Sequence, residues 1–206
     1  MAKSFVVPNP ISTGFIACGA ERKERTAIRT IVTAGRLNPQ KNHRLLIEAM
    51  AQVHRAHPEC VLHIYGEGTE RDGLQAQIDG LDAGSYIRLM GRSTDLAQVY
   101  ADADLFVLSS DYEGMPNALA EAMAAGMPCI STDCLTGPKE LIGDDQRGLL
   151  VPTGDAESMA AAMLRLIESP ELAGRLGAAA HAYTGKRFAP SQVALALVEN
   201  CEQYIS

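Results

Sequence analysis

Short aliphatic and β-branched runs alternate along the chain with stretches in which apolar residues recur at helical spacing. The runs predict strands at residues 28–33, 61–65, 86–90, 105–108, 129–132 and 149–151. The amphipathic stretches predict helices at residues 42–56, 70–81, 95–101, 117–125 and 139–142. Helical spacing then continues from residue 155 to the end, interrupted by Pro170 and Pro190. The alternation therefore predicts an α/β domain with additional helices near its carboxyl terminus.

The predicted order of strands and helices favours a Rossmann-like, doubly wound parallel sheet of about six strands. A helix between consecutive strands returns the chain to the same end of the sheet, so that the strands lie parallel. In such sheets, ligands bind beyond the carboxyl ends of the strands, in the loops that lead into the helices. Those loops are where functional residues are expected.

The first 25 residues differ from the rest of the chain. They contain a Pro-Asn-Pro turn at residues 8–10 and a charged run at residues 21–25. Such a composition is typical of a linker, so we expect residues 1–25 to form a leader or an interdomain segment. We expect residues 26–206 to form one domain, because a chain of 206 residues suits a single unit.

The net charge and the cysteines exclude some classes of function. The formal charge of −7 argues against nucleic acid as a partner. The five cysteines are odd in number and scattered, which predicts reduced thiols in an intracellular protein. The sequence has no apolar run of about 18 residues, so we expect no transmembrane segment and a cytoplasmic location.

The loop after the first predicted strand places two cations next to a helix N-terminus. It runs from Gly35 to Asn42, and Asn42 is a candidate N-cap of the helix that follows. Arg36 and Lys41 then lie where the helix dipole and free amides already favour an anion such as a diphosphate. Gly35 would let the backbone approach a ligand closely. The alternative is that both cations are solvated loop charges.

The loops after the second and third predicted strands carry glycine but no distinctive chemistry. Residues 65–68 read Y-G-E-G, and a lone G-x-G is usually a turn. Residues 90–93 read M-G-R-S and predict a tight connection from strand to helix.

The loop after the fourth predicted strand places two carboxylates beside another helix N-terminus. Glu113 lies in the loop, and Glu121 follows one turn inside the helix that Pro116 and Asn117 begin. Carboxylates accept paired hydrogen bonds from vicinal hydroxyls, and the amides of residues 115–118 can donate to phosphate or sugar oxygens. This combination suits a nucleotide sugar. The alternative is a surface acid and a glutamate that complements the helix dipole.

Together these loops resemble the motifs of one enzyme family. E-G-M-P-N-A-L-A-E, from Glu113 to Glu121, resembles the signature of retaining glycosyltransferase family 4, which has the two-domain GT-B architecture. A-G-R-L-N-P-Q-K-N, at residues 34–42, resembles that family's phosphate loop. Residues 137–140 and 148–155 follow in the family's order, although Thr136 stands where glycine is usual. The likeness covers roughly residues 4–200.

The resemblance implies a role for each residue of these motifs. The implied catalytic residues are Arg36 and Lys41, which would bind the donor diphosphate, and Glu113, which would contact the transferred sugar. Glu121 would hold the ribose hydroxyls, and Gly91 would lie beside the base. The implied donor-binding residues are Gly35, Gly91, Met115, Pro116, Asn117, Ala118 and Glu121.

The resemblance also implies a reaction. It predicts hexosyl transfer, with retained anomeric configuration, from a nucleotide diphosphate sugar in polysaccharide or glycan biosynthesis; a UDP-sugar is the commonest donor in the family. No cofactor and no metal are expected, because two cations take the place of a metal. Asp102 and Asp104 do form a D-x-D, but they precede strand four at its amino end, away from the expected site.

The predicted partners follow from the same likeness. Residues 6–11 resemble the segment that opens the second GT-B domain, so the N-terminal acceptor domain is expected to be absent from this chain. A longer enzyme could contact a membrane peripherally.

Two other functions fit the same motifs. A related GT-B enzyme, such as an epimerase or a phosphorylase, would use the same donor differently. The other alternative is a non-catalytic nucleotide-sugar-binding or scaffolding module that regulates a partner; the presence of both glutamates and both cations speaks against it. A metal site is not expected at His54 and His57, because they share a helix face without a third ligand.

Overall fold

The fold is a parallel sheet with helices on both faces. A computed structural model describes residues 7–205. The strands within them are β1 (Thr30–Ala34), β2 (Val61–Tyr65), β3 (Ile87–Gly91), β4 (Leu105–Leu108), β5 (Cys129–Thr132) and β6 (Leu149–Val151). The helices are α1 (Thr13–Glu21), α2 (His43–Ala56), α3 (Arg71–Gly80), α4 (Leu96–Asp102), α5 (Asn117–Ala124), α6 (Pro138–Ile142), α7 (Ala156–Ile167), α8 (Pro170–Phe188) and α9 (Pro190–Ile205). The predicted Rossmann-like α/β architecture is confirmed.

The order of the strands places β1 and β4 side by side at the centre of the sheet. The order is β3-β2-β1-β4-β5-β6, and every pairing is parallel. From β1 the chain moves outward to β3 and then returns to place β4 on the other side of β1. Because the crossovers on the two sides run in opposite directions, a crevice opens at the carboxyl ends of β1 and β4. The loops after these two strands meet there.

Two apolar layers cover the faces of the sheet. One layer packs α2, α3 and α7 against it through side chains such as Ile47, Ile78 and Met163. The other packs α4, α5 and α8 through side chains that include Tyr100 and Met123. All four residues of β4 are buried, as expected for a strand that is covered on both faces. This burial stabilises the domain and fixes the ends of β1 and β4.

The first strand begins two residues later than the apolar pattern predicts. The amides of Arg29 and Thr30 both donate to Oδ2 of Asp104, at 2.9 Å. The side chain of Asp104 therefore takes the place of strand pairing at these two amides. Ile28 was predicted to belong to the strand because it is apolar, and it is buried outside it. The same bonds hold Asp104 at the amino end of β4, away from the crevice.

The predicted leader contains a helix that packs on the domain. Helix α1 lies against α4, α5 and α8, and the amide of the buried residue Ile11 donates to the carbonyl of Phe188 at 2.8 Å. The apolar pattern does not predict α1, because small residues make the helical spacing of residues 13–21 weak. The small residues are needed for packing between helices. A Cβ on Gly19, for example, would collide with the carbonyl oxygen of Ala124 in α5. Residues 1–6 of the predicted leader lie outside the described residues, and the boundary at residue 25 stays a prediction.

Candidate active site

Two loops are joined by hydrogen bonds in the crevice between β1 and β4. The amide of Asp111 donates to the carbonyl of Gln40 at 2.9 Å, and Nδ2 of Asn42 donates to Oδ1 of Asp111 at 2.8 Å. Oγ of Ser109 donates to the carbonyl of Lys41 at 2.8 Å. These bonds join the predicted phosphate loop to the predicted glutamate loop, so that the two form one rim.

Asn42 is the N-cap of α2, as the sequence predicts. Its side chain accepts the amide of Leu45 at 3.3 Å, and its backbone has a left-handed φ of 43°. A short 3₁₀ helix, Pro39–Lys41, leads into this cap. The cap therefore turns the chain so that Lys41 lies directly before the N-terminus of α2.

Lys41 and Glu113 form an ion pair at the centre of the rim. Nζ of Lys41 lies 2.5 Å from Oε1 of Glu113, and Oγ of Ser110 donates to the same oxygen at 2.6 Å. The side chains of Lys41 and Glu113 are only 16% and 5% exposed. Charges buried to this degree need partners, so each side chain holds the other in place. The structure thus brings together a cation and an acid that the sequence assigned to one site.

Arg36 borders a cavity of about 310 Å³, whose lining includes neither Lys41 nor Glu113. The rest of the lining comes from β1, β2 and the segments after β2 and β3: Ala34, Gly35, Tyr65, Gly66, Glu67, Arg92, Ser93 and Leu96. Arg36 is exposed, and within residues 7–201 no carboxylate lies at ion-pair distance from it. Its guanidinium is therefore open to an anionic ligand.

Glycines let the first two loops lie against each other. The amide of Gly35 donates to the carbonyl of Tyr65 at 3.0 Å. Gly66 has a φ of 144°, and a Cβ there would collide with the carbonyl oxygen of Gly35. A Cβ on Gly68 would collide with the carbonyl of Leu37. The G-x-G turn is therefore required by the close packing of the phosphate loop.

Gly91 lies directly before two residues that line the cavity. It ends β3 with a φ of 74°, a conformation that favours glycine, and its carbonyl accepts the amide of Gly66 at 2.8 Å. The next two residues, Arg92 and Ser93, line the cavity. Gly91 itself is not part of the cavity lining, and its position beside a base stays a prediction.

Glu121 is a half-buried carboxylate on α5. Among the residues that the structure describes, no side chain or backbone group bonds to it. Burial raises the pKa of Glu121, and no partner counteracts this shift. Burial, and secondly the charge of Glu121, also raise the pKa of Tyr100, whose buried hydroxyl has no partner among the described residues. The carboxylate of Glu121 therefore has no partner among the described residues, and its contact with ribose hydroxyls stays a prediction.

The start of α5 supplies backbone donors near Glu113. No side chain caps this helix, and no carbonyl among residues 7–205 accepts the amide of Ala118. The amide of Asn117 donates to the carbonyl of Met115 at 2.9 Å. Pro116 has no N–H, so it can shape the turn but cannot donate to a ligand. Met115 also contacts the start of the chain, since the amide of Asn9 lies 3.4 Å from its sulfur.

Three polar residues that support the site were missing from the sequence prediction. Ser109 and Ser110 hold Lys41 and Glu113 as described above. His43 is buried, and its Nδ1 lies 3.3 Å from the carbonyl of Lys41. Burial lowers the pKa of His43 to about 4, so the ring is neutral at physiological pH. The position of the two serines directly after β4 was a usable signal; nothing in the sequence marks His43.

His54 and His57 contact neighbouring side chains of the domain. His54 stacks on Tyr86 with ring centroids 3.6 Å apart, and His57 lies 3.3 Å from Glu59. The described residues include no group of three His, Cys, Asp or Glu side chains placed to hold a metal ion. None of the helices in residues 7–205 has both the length and the apolar character needed to cross a membrane.

Comparison with known sequences identifies relatives of this chain. The family model described as "Glycosyl transferases group 1" matches residues 20–183. An exopolysaccharide phosphotransferase of Streptomyces coelicolor is 38% identical over 176 residues, which are 85% of this chain and 18% of that protein. The GtfA subunit of a UDP-N-acetylglucosamine–peptide N-acetylglucosaminyltransferase of Streptococcus gordonii is 38% identical over 130 residues, which are 63% of this chain and 26% of that protein.

A solved structure has the same fold. The pneumococcal O-GlcNAc transferase GtfA, in complex with UDP and GlcNAc, superposes with a TM-score of 0.78 at 25% identity. The match covers 89% of this chain and 38% of that one. The chain therefore spans well under half the length of each of these three proteins. Because the family model matches far more than half of its residues, the chain belongs to the group 1 glycosyl transferases.

Proposed function

We propose that this chain is the donor-binding domain of a retaining glycosyltransferase of family 4 that uses a UDP-sugar. The observation that carries the proposal is the buried contact between Lys41 and Glu113, with Arg36 exposed in the same loop as Lys41. This contact joins a cation suited to a diphosphate to an acid suited to a sugar. A ligand that contains both groups would fit the two halves of the crevice.

The phosphate end acts through charge. When the bond between sugar and diphosphate breaks, negative charge grows on the leaving nucleotide, and positive charge develops on the sugar ring. Arg36, Lys41 and the free amide at the start of α5 would stabilise the departing diphosphate. Because Lys41 is held in place before the donor arrives, little reorganisation would be needed during the reaction. In this proposal no metal ion takes part.

The sugar end acts through the two glutamates. Lys41 and Ser110 occupy Oε1 of Glu113, and no described residue bonds to its other oxygen. That oxygen would accept a hydrogen bond from a hydroxyl of the transferred sugar. Glu121 would accept bonds from the ribose, and those bonds would replace the water that its half-buried carboxylate has lost.

The names of the relatives support a UDP-sugar as donor. The GtfA subunit belongs to an enzyme named for UDP-N-acetylglucosamine, and the pneumococcal structure contains UDP and GlcNAc. The exopolysaccharide phosphotransferase is matched over only 18% of its length, so we do not extend phosphotransfer to this chain. We propose that a second domain supplies the acceptor side, and that this chain by itself has negligible transfer activity.

Calorimetric titration with UDP tests the phosphate site. We expect wild-type affinity on the order of micromolar to millimolar. Arg36→Ala should weaken it by about ten- to a hundredfold, since a charge-assisted hydrogen bond contributes about 1.5–3 kcal/mol. The matched control is Arg165→Ala, which removes an exposed arginine in the last turn of α7, toward the amino ends of the strands. Equal affinities of wild type and Arg36→Ala would remove the assigned phosphate role.

Product analysis tests the reaction class. Incubation of the chain with UDP-glucose or UDP-N-acetylglucosamine, followed by NMR, should show the donor unchanged over hours. Accumulation of an epimerised nucleotide sugar would favour an epimerase. Formation of a sugar phosphate in the presence of inorganic phosphate would favour a phosphorylase. When the acceptor half is supplied, the product should keep the anomeric configuration of the donor.

A further inference from the structure

A second loop, between β5 and α6, contacts the main chain of Glu113. Oγ1 of Thr136 donates to the carbonyl oxygen of Glu113, and it also lies 2.8 Å from the carbonyl oxygen of Leu135. One residue earlier, Leu135 forms an isolated parallel bridge with Tyr112. The β5–α6 loop therefore follows the glutamate loop for two consecutive residues.

The backbone of this loop is unusual at Thr136. Its φ is 64°, a left-handed conformation that is costly for a β-branched residue. Gly137 follows with a φ of 87°, and a Cβ there would lie 2.6 Å from Cδ of Pro116 and 2.8 Å from the carbonyl oxygen of Gly114. Strained residues persist where their surroundings determine the conformation, and they cluster at functional sites. The presence of threonine at this position, where glycine would avoid the strain, therefore calls for an explanation.

We propose that Thr136 is a positioning residue for Glu113. Its hydroxyl fixes the peptide unit between Glu113 and Gly114, while Lys41 and Ser110 fix the carboxylate. The side chain of Glu113 is thereby held at both ends. These contacts set the direction of the carboxylate oxygen that has no bond within the described residues. The inference that this direction matters for sugar binding rests on the proposed function.

Both anchors are needed because the glutamate side chain has three rotatable bonds. If only the carboxylate were held, the backbone of the loop could shift and the side chain could adjust its torsions while it remained bonded to Lys41. The other end of the segment is already fixed, since Oγ1 of Thr132 donates to the carbonyl of Ser110 at 2.5 Å. Tyr112 is held as well, by its bridge with Leu135 and by Nε2 of Gln40, which donates to its carbonyl at 2.9 Å. Thr136 adds the restraint on the peptide unit that follows Glu113.

A comparison of Thr136→Ala with Thr136→Ser isolates the hydroxyl. Both variants keep a Cβ at the left-handed position, but only serine keeps the donor. The readout is the ¹⁵N order parameter of the Gly114 amide, which belongs to the peptide unit that Thr136 holds. We expect a rigid value of about 0.85 in wild type and in Thr136→Ser, and a value below about 0.6 in Thr136→Ala. An unchanged value in Thr136→Ala would overturn the proposal.

Titration with UDP and with UDP-glucose gives a second, functional readout. UDP lacks the sugar that Glu113 is proposed to contact, so its affinity should change by less than about twofold in Thr136→Ala. Affinity for UDP-glucose should fall by about fivefold, and Thr136→Ser should restore it. Equal losses for both ligands would indicate a merely structural role and overturn the proposal. If wild type binds neither ligand, the proposed function fails, and the order parameters still decide the role of Thr136.

Discussion

Replacement of Lys41 by methionine should destabilise the domain far more than the loss of a surface charge would. The change leaves the carboxylate of Glu113, which is 5% exposed, with Ser110 as its remaining donor. Removal of one partner from a buried ion pair costs about 3–5 kcal/mol. We expect a loss of about 3 kcal/mol, because Ser110 stays bonded and the pair is not fully buried. For a chain of 206 residues, this loss lowers the melting temperature by about 6–12 °C.

A double-mutant cycle separates this pair from its surroundings. Glu113→Gln, added to Lys41→Met, removes the uncompensated charge and should recover about 2 kcal/mol. Urea unfolding followed by far-ultraviolet circular dichroism suits the cycle, because the chain has no tryptophan. Arg44→Met is the matched control: its ion pair with Glu70 is exposed, so its loss should cost less than about 1 kcal/mol. If the two single effects simply add within about 0.5 kcal/mol, the pairing has no energetic role and the reasoning is refuted.

Three further predictions concern single residues. Burial raises the pKa of Glu121, so the folded chain holds the proton of this carboxyl more tightly than the unfolded chain does. The stability of the wild type relative to Glu121→Gln should therefore fall as the pH rises above about 4. A difference in melting temperature that does not depend on pH would contradict this. Asn42→Ala should lower the unfolding free energy by about 1–2 kcal/mol, and Asn42→Gly, which tolerates the left-handed φ, should lower it less. Gly66→Ala should cost about 2 kcal/mol or more in urea unfolding, whereas Gly185→Ala, where a Cβ meets nothing, should not destabilise.

The order of helices and strands was predictable because its signals are local. Strands β2, β4, β5 and β6 match the predicted bounds, and α2 begins directly after its predicted cap, Asn42. The start of β1 was not predictable from local pattern, since the amides of Arg29 and Thr30 bond to Asp104, 75 and 74 positions away. Helix α1 was missed for a similar reason: the small residue Gly19 is explained by its close contacts with α5 and α8, which are distant in sequence.

The residues of the candidate site were easier to predict than their arrangement. Position after a strand and resemblance to known motifs identified Arg36, Lys41 and Glu113. Lys41 bonds to Glu113, whereas Arg36 has no carboxylate partner among the described residues. This arrangement depends on the pairing of β1 with β4, which the alternation of helices and strands does not specify. The role of Thr136 was still less accessible, because a left-handed backbone cannot be seen in a sequence.

The central place of β4 has a consequence for the synthesis of the protein. Lys41 and Glu113 are 72 positions apart, and β4 joins β1 only after β2 and β3 have been made. A nascent chain that ends before residue 105 therefore carries both cations but has one edge of β1 unpaired. When β4 pairs with β1, it covers that edge and brings Glu113 to Lys41 in the same step. A ribosome-bound intermediate of this length should adhere to other strands more readily than it binds a nucleotide.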